Sequence, residues 1–487
     1  MQKRDVGKGR WLAVCLALLT AALLVESQTQ SFTEDEGYHL VAAQSILHGK
    51  RPYVDFCFPQ APLNAYWNAA WMRIFGESWR VAHAVAALLI ALAVVLTALY
   101  VRRRFPVPEW RTPLAIAAAV LLGLNAKVFI LGPVGQAYAI CLFCIVAAFR
   151  AAVRAAEEDR VLFAGVAGIL ASAGANSSLL TAPVPVVLFI WLVFSARGWS
   201  RWGRAAAFVT GAAVPCIPVT WLFVQGPRQT IFSLIEYQGR YRLVDWPDAI
   251  AHDVDVLLSP LDSAQALVLG VLAVGGLLFA RKSRWSVRSE LFLCGWLAGA
   301  EIFFIANGHP NFPQYYMFAA PFLAILACVA IYRAGAKLTA DGNPRWAVAV
   351  PCLIVFLGFA KSIYERREFE SWQDAEAIAQ KIREIHPAGP ILADDTINFL
   401  LRYPVSSGFE LGDSHKLDLD PATMARMHLV SKAELERRVR SGQYALVETW
   451  ANLAWQDEDW DEKVGLPSLY TQHVTVADGE IYWEKAR

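Results

Sequence analysis

Long apolar stretches separated by short connections, every second one basic, constrain this chain more than any other feature. A membrane-spanning helix needs roughly 20 mostly apolar residues. Runs of about that length occupy 11–27, 81–101, 112–131, 133–153, 161–180, 182–197, 204–224, 262–280, 289–306, 315–333 and 346–363. Basic clusters begin at Lys3, Arg102, Arg150, Arg197, Arg281 and Arg333, always on the same side of the alternation. Positive charge marks the cytoplasmic side. The pattern therefore predicts about 11 transmembrane helices with a cytoplasmic N-terminus, in a cell (inner) membrane. The first run follows a basic segment, but no small-residue cleavage site follows it, so it reads as an anchor.

Composition agrees. The chain is 56% hydrophobic and 18% charged, against about 25% charged in soluble proteins. Net charge is +1, so no bulk field recruits nucleic acid. Of eight cysteines, seven fall in apolar runs, and only Cys57 falls in an expected external loop. No structural disulfide is expected, and the Cys141/Cys144 pair reads as packing.

Two divisions are expected: a transmembrane domain over 1–363, including a first outer loop at 28–80, and a small extracytoplasmic α/β domain over 364–487. In the latter, Ser371 to Ile385 has helical amphipathicity and Pro390–Ala393 and Tyr444–Val447 read as buried strands. Thr471 to Trp483 reads as a hairpin around Asp478-Gly479.

The first outer loop carries the most information. Thr33 followed by Glu36 is a capping-box pattern, which predicts a helix start. Tyr38, Val41, Ala42, Ser45 and Ile46 fall on one stripe, and Gly49 with Pro52 ends the helix. A second helix, from about Leu63 to Phe75, is rich in Trp and Tyr. Together with Trp79 these suit a lipid–water boundary. Acids at a helix start complement the dipole by about 0.3–1 kcal/mol, which accounts for Glu34 and Glu36 more readily than for Asp35.

Asp35-Glu36, Tyr38, Gly49, Pro52-Tyr53 and Pro62-Leu63 follow one another after the first span. In this the segment resembles the lipid-linked-sugar-dependent glycosyltransferases of the C-type membrane superfamily, the group containing protein O-mannosyltransferases and the lipid A aminoarabinose transferase. The span layout, long first loop and small final domain fit the same resemblance, as does His309-Pro310-Asn311-Phe312-Pro313-Gln314-Tyr315-Tyr316 before a late span. It implies transfer of a sugar (hexose or pentose) from a polyprenyl-phosphate donor to an extracytoplasmic lipid, glycan or protein acceptor. Membrane lipids are the other expected partners. Such a reaction needs a general base in a water-poor site. The resemblance places that base at Asp35, with Glu36 as helper, metal ligand or helix cap.

The donor phosphate needs cations. In parts of the family a Lys precedes the Pro-Leu, and Gln60 stands near that place here. Lys50, Arg51, Arg240 and Arg242 are the substitute candidates, since guanidinium forks bind phosphate bidentately. Tyr38, His309 and Tyr315 complete the expected substrate-binding set. The loop at 131–136 has no acid, so no metal or other cofactor is expected to be required. Asn176, Glu301 and Asn307 sit at span ends as helix-packing or functional polar groups. Asp394-Asp395 reads as a helix cap. The competing readings are a transporter or lipid flippase, disfavoured because no internal repeat is visible, and a non-catalytic scaffold.

Overall fold

The computed structural model describes residues 2–33, 35–195, 200–241, 246–308, 311–338, 344–366, 371–417, 419–450, 460–477 and 479–486. By contacts the chain forms two compact units, each built from three separate stretches. One comprises Met1–Gln28, His83–Ile217 and Asp245–Glu368. The other comprises Thr29–Ala82, Pro218–Val244 and Phe369–Arg487.

The first unit is the helical bundle of a multi-pass membrane protein. Among the described residues, eight helices are long and apolar enough to cross a membrane: Gly9–Thr29, Trp79–Arg104, Tyr138–Glu158, Ser200–Gln225, Ala264–Lys282, Arg288–Ala306, Ala320–Leu338 and Trp346–Glu365. Val161–Ser177 and Leu179–Ser195 are shorter apolar helices. The expected run 112–131 divides into Pro108–Gly123 and Ala126–Leu131. Asn125 caps the second piece, its side chain accepting from the backbone N–H of Lys127 and Val128. Gln265 satisfies the backbone at that break. It accepts from Ala126 N (3.0 Å) and donates to Leu124 O (2.8 Å). Gly132, Pro133 and Gly135 keep 132–137 out of helix, so the next helix starts at Tyr138.

Small residues let these helices touch backbone to backbone. A Cβ on Gly168 would lie 2.1 Å from Phe208 O, and one on Gly211 would lie 2.1 Å from Gly165 O. Close approach of this kind gives membrane helices dispersion contacts that no hydrophobic effect can supply inside lipid. Asn176 ties into the same contact, donating to Ser172 O at 2.9 Å and to the Cys216 thiol. Cys141 donates to Gly174 O.

The second unit contains a four-stranded sheet of β1 (Ile391–Leu392), β2 (Leu446–Trp450), β3 (Tyr470–Val476) and β4 (Gly479–Lys485), in the order β1-β2-β4-β3. The β1–β2 pair is parallel and the other two are antiparallel. The expected hairpin is β3–β4, with Asp478 outside the described residues. Alternation along the strands sends Ile391, Leu446 and Ile481 onto Ile378 and Ile382 of the helix Trp372–Ile385. Leu392, Val447 and Tyr482 go to a second cluster with Leu435, Tyr444 and Trp460. That helix starts with a reciprocal Ser371/Asp374 capping box.

The same unit holds the helices Glu36–Leu47 and Leu63–Phe75, each followed by a glycine with positive φ (Gly49, 84°, two residues on; Gly76, 87°). Glu36–Leu47 is buried from Glu36 to Ser45, wider than the apolar stripe in its sequence. It packs against Leu63–Phe75 and against the short helix Asp395–Leu401. A Cβ on Gly37 would stand 2.7–2.8 Å from Asp395 and Thr396 atoms, so only glycine permits this approach. Trp79 differs from expectation. It is 3% exposed, enclosed by Phe32 and Trp372 rather than facing lipid. Cys57 is also buried, and burial pushes its thiol up to about 12.

Candidate active site

The helix Glu36–Leu47 sets the two neighbouring acids in opposite surroundings. Asp35 occupies its N-cap with helical backbone (φ −83°, ψ −6°). Its side chain is exposed and makes no capping bond. Glu36 is completely buried. Its Oε2 accepts the Thr33 N–H at 3.4 Å, and its own N–H donates to Thr33 O at 2.9 Å. The helix starts later than the Thr33–Glu36 pattern predicts: Asp35, not Thr33, is the N-cap, and the Thr33–Glu36 pair closes the turn before it. The two acids part for a geometric reason: consecutive helical residues point about 100° apart. One carboxylate is therefore exposed, and the other is buried against the turn that precedes the helix. Glu34 lies outside the described residues.

A hydrogen-bonded aromatic cluster backs this turn. Gln60 is its hub: its Nε2 donates to Tyr38 OH (3.1 Å), and its backbone carbonyl accepts from Tyr53 OH (2.7 Å). Tyr53 has φ 67° and is buried, which raises its phenol well above the usual value. Next to Tyr38, His39 stacks on the phenol ring (centroids 4.5 Å) and meets Phe58 edge-on. Its Nδ1 lies 3.4 Å from Asn64 Nδ2. Burial lowers His39 to about 3, so the imidazole is neutral near pH 7 and serves as a rigid polar wall. His39, Tyr53 and Asn64 were not among the expected site residues. Only the adjacency of Tyr38-His39 to the acids hinted at His39, and nothing local marks the other two.

The cations divide by availability. Lys50 pairs at 2.9 Å with Glu410, whose side chain is 3% exposed. Arg51 is bidentate to Asp55, with Nε and Nη2 each at 2.8 Å, and this contact holds the Asp55 carboxyl below its usual range. Both are engaged in fixing the loop. Arg240 is half-exposed and only 4.0 Å from Glu236. Its short helix, Tyr237–Tyr241, is tied to the Gln60 turn by Gln238 Nε2 donating to Pro59 O at 3.1 Å. The structure thus joins the Arg240 helix to the segment that holds Tyr38. Arg242 and His309 lie outside the described residues. Tyr315 belongs to the other unit, its ring 5.5 Å from Phe312.

Among the described residues, no group of three or more His, Cys, Asp or Glu side chains is arranged to hold a metal ion. Asp394 does what a cap does, accepting from Thr396 N at 2.8 Å, and Asp395 accepts from Gly412 N. What the cluster offers chemically is one exposed carboxylate on a rigid turn, a neutral polar wall, and a partly free guanidinium on a tethered helix.

No protein-family model matches the chain, and no curated protein matches it. Solved structures do, over nearly all of its length. ArnT from Cupriavidus metallidurans in the apo state is 16% identical, with 97% of this chain and 98% of that chain covered and a TM-score of 0.69. The same protein bound to undecaprenyl phosphate gives 15%, 97% and 97%, and 0.68. The oligosaccharyltransferase of Archaeoglobus fulgidus, tethered with an acceptor peptide, is 12% identical over 98% of this chain and 74% of that one (TM-score 0.52). The arabinofuranosyltransferase AftD from Mycobacteria is 13% identical over 98% and 42% (TM-score 0.53). The chain therefore has the fold of the C-type membrane glycosyltransferases.

Proposed function

We propose that the protein is a glycosyltransferase that moves a sugar from a polyprenyl-phosphate donor to an acceptor on the extracytoplasmic side of a cell (inner) membrane. Its N-terminus is cytoplasmic and residues 364–487 lie on the opposite side. The observation that carries the reading is the exposed Asp35 carboxylate, presented by a turn that Glu36 anchors, in a chain with this fold. The undecaprenyl phosphate in the ArnT structure supports a lipid-linked donor.

In this reading the acceptor hydroxyl or amine attacks the anomeric carbon. The bond from that carbon to the phosphate oxygen breaks, and the polyprenyl phosphate leaves with the electron pair. Asp35 takes the acceptor proton. Arg240, with Arg242, meets the phosphate charge by in-plane guanidinium hydrogen bonds. Gln60 holds Tyr38 against the site. No metal is required.

Replacing Asp35 by Asn keeps the size of the side chain and removes the base. Sugar transfer from a polyprenyl-phosphate donor, measured in membranes, should fall by about 10²- to 10⁴-fold. Expression and melting temperature should stay unchanged, because Asp35 is exposed. Full activity in Asp35→Asn would overturn the assignment.

A further inference from the structure

The second unit contains a cleft of about 590 Å³ that the transfer reaction does not use. Its walls come from the turn Glu77–Arg80, the helix Trp372–Ile385, and Phe399–Arg402. Arg80 sits in the angle between two indoles, its guanidinium carbon 4.3 Å from the Trp79 centroid and 4.4 Å from the Trp372 centroid. Glu376 is already engaged there. Its Oε1 accepts from Trp79 Nε1 at 3.0 Å and lies 3.7 Å from Arg80. Glu77, the other acid, has its Oε1 3.8 Å from His48, while its Oε2 is buried without a hydrogen-bond partner among the described residues.

Two further guanidiniums stand at this cleft without a carboxylate partner among the described residues. Arg383 Nη2 donates to Leu400 O at 2.8 Å, and Arg402 Nη2 donates to Glu77 O at 2.9 Å. Each is aimed by a backbone carbonyl and has further donors left. Three guanidiniums against two acids leave the cleft lining with a positive surplus, which favours an anion. A neutral sugar ring cannot stack between the two indoles, because Arg80 occupies the angle they form. Arginine rather than lysine fits phosphate in particular, through its planar fork.

Position selects the source of the phosphate. Trp79 and Arg80 form the first turn of Trp79–Arg104, a helix long and apolar enough to span a membrane. The cleft therefore adjoins the N-terminal end of a candidate span. Just before it, Ile74 and Phe75 are 65% and 59% exposed, which suits contact with acyl chains. Charge-assisted guanidinium–phosphate pairs are strong and often bidentate, and beside the end of a candidate span the phosphates within reach include those of lipid headgroups. We propose that this cleft binds the phosphate headgroup of an anionic phospholipid, with Arg383 and Arg402 as ligands and Arg80 behind them.

The test uses the full chain in detergent and calorimetric titration with dihexanoyl phosphatidic acid, dihexanoyl phosphatidylcholine and inorganic phosphate. Saturable binding of the phosphatidic acid is expected, weakened about tenfold or more in Arg383→Ala/Arg402→Ala, as loss of two charge-assisted contacts requires. Arg383→Lys/Arg402→Lys should retain an intermediate affinity and the wild-type melting temperature, which separates lost binding from lost folding. Equal affinity in the alanine variant, or equal binding of the zwitterionic lipid, would remove the site. Inorganic phosphate binding as tightly as the lipid would remove the lipid assignment.

Discussion

Replacing Lys50 by Met keeps the aliphatic stem and deletes the charge that faces Glu410. The pair is 2.9 Å long and joins the first long loop to a residue 360 positions away. After the substitution, the buried Glu410 keeps the Gly408 N–H, 2.9 Å from its Oε2, as its remaining recorded hydrogen bond. Breaking a fully buried pair costs about 3–5 kcal/mol. The Lys50 side chain is 42% exposed, so solvent screening reduces the figure to about 1–2 kcal/mol. For a unit of about 200 residues that lowers the melting temperature by roughly 2–8 °C. The assay is a double-mutant cycle of Lys50→Met, Glu410→Gln and the pair, followed by thermal melting and by donor KM. A coupling of about 1–2 kcal/mol with unchanged donor KM is expected. A coupling below about 0.3 kcal/mol, within the error of additivity, would refute the structural role. So would a raised KM at constant melting temperature, which would return Lys50 to the phosphate site.

Glu448 supplies a pH dependence. Burial, helped by Asp394, raises its carboxyl from 4.5 to about 8. Between those values the folded chain holds a proton that the unfolded chain has released, so stability is greatest below 4.5 and fades as pH rises through 8. Melting temperature should fall from pH 5 to pH 9, and Glu448→Gln should flatten that fall; an unchanged slope in the variant would assign it elsewhere. Arg240→Ala combined with Arg242→Ala should raise the donor KM about tenfold or more with little change in melting temperature, and an unchanged KM would move the phosphate site. Transfer activity should survive dialysis against a chelator, whereas loss restored by a divalent cation would contradict metal-free catalysis.

The spans were legible because lipid demands a residue count that apolar runs display directly. The loop helices were legible for local reasons too: Gly49 and Pro52 mark the end of the first, the aromatic-rich run Leu63 to Phe75 marks the second, and Asp478-Gly479 marks the hairpin. Local pattern says nothing about which distant segments meet. Trp79 reads as an interfacial aromatic in sequence. Only the fold reveals Trp372 opposite it, 293 positions on. The same holds for His428, whose Nε2 lies 2.8 Å from Val54 O. At the candidate site, the acids stood out as a run of charge after an apolar span. Their division into an exposed Asp35 and a buried Glu36 depended on the phase of a helix whose start could not be fixed to one residue. The Arg51–Asp55 pair has plain i,i+4 spacing, a local signal that competes with reading Arg51 as a phosphate ligand.

The unit that carries Asp35 is assembled from three stretches, and this sets an order of events during synthesis. Residues 29–82 leave the ribosome early, while 369–487, which supply Asp395, Thr396 and Glu410 to them, come roughly 290 residues later. At about 5–20 residues per second the loop waits on the order of 15–60 s with its eventual contact surfaces uncovered. Until then the turn at Asp35 lacks its packing against Gly37's partners. Under the proposed function, a chain halted after its last span would lack the contacts that back the turn at Asp35 and should transfer no sugar.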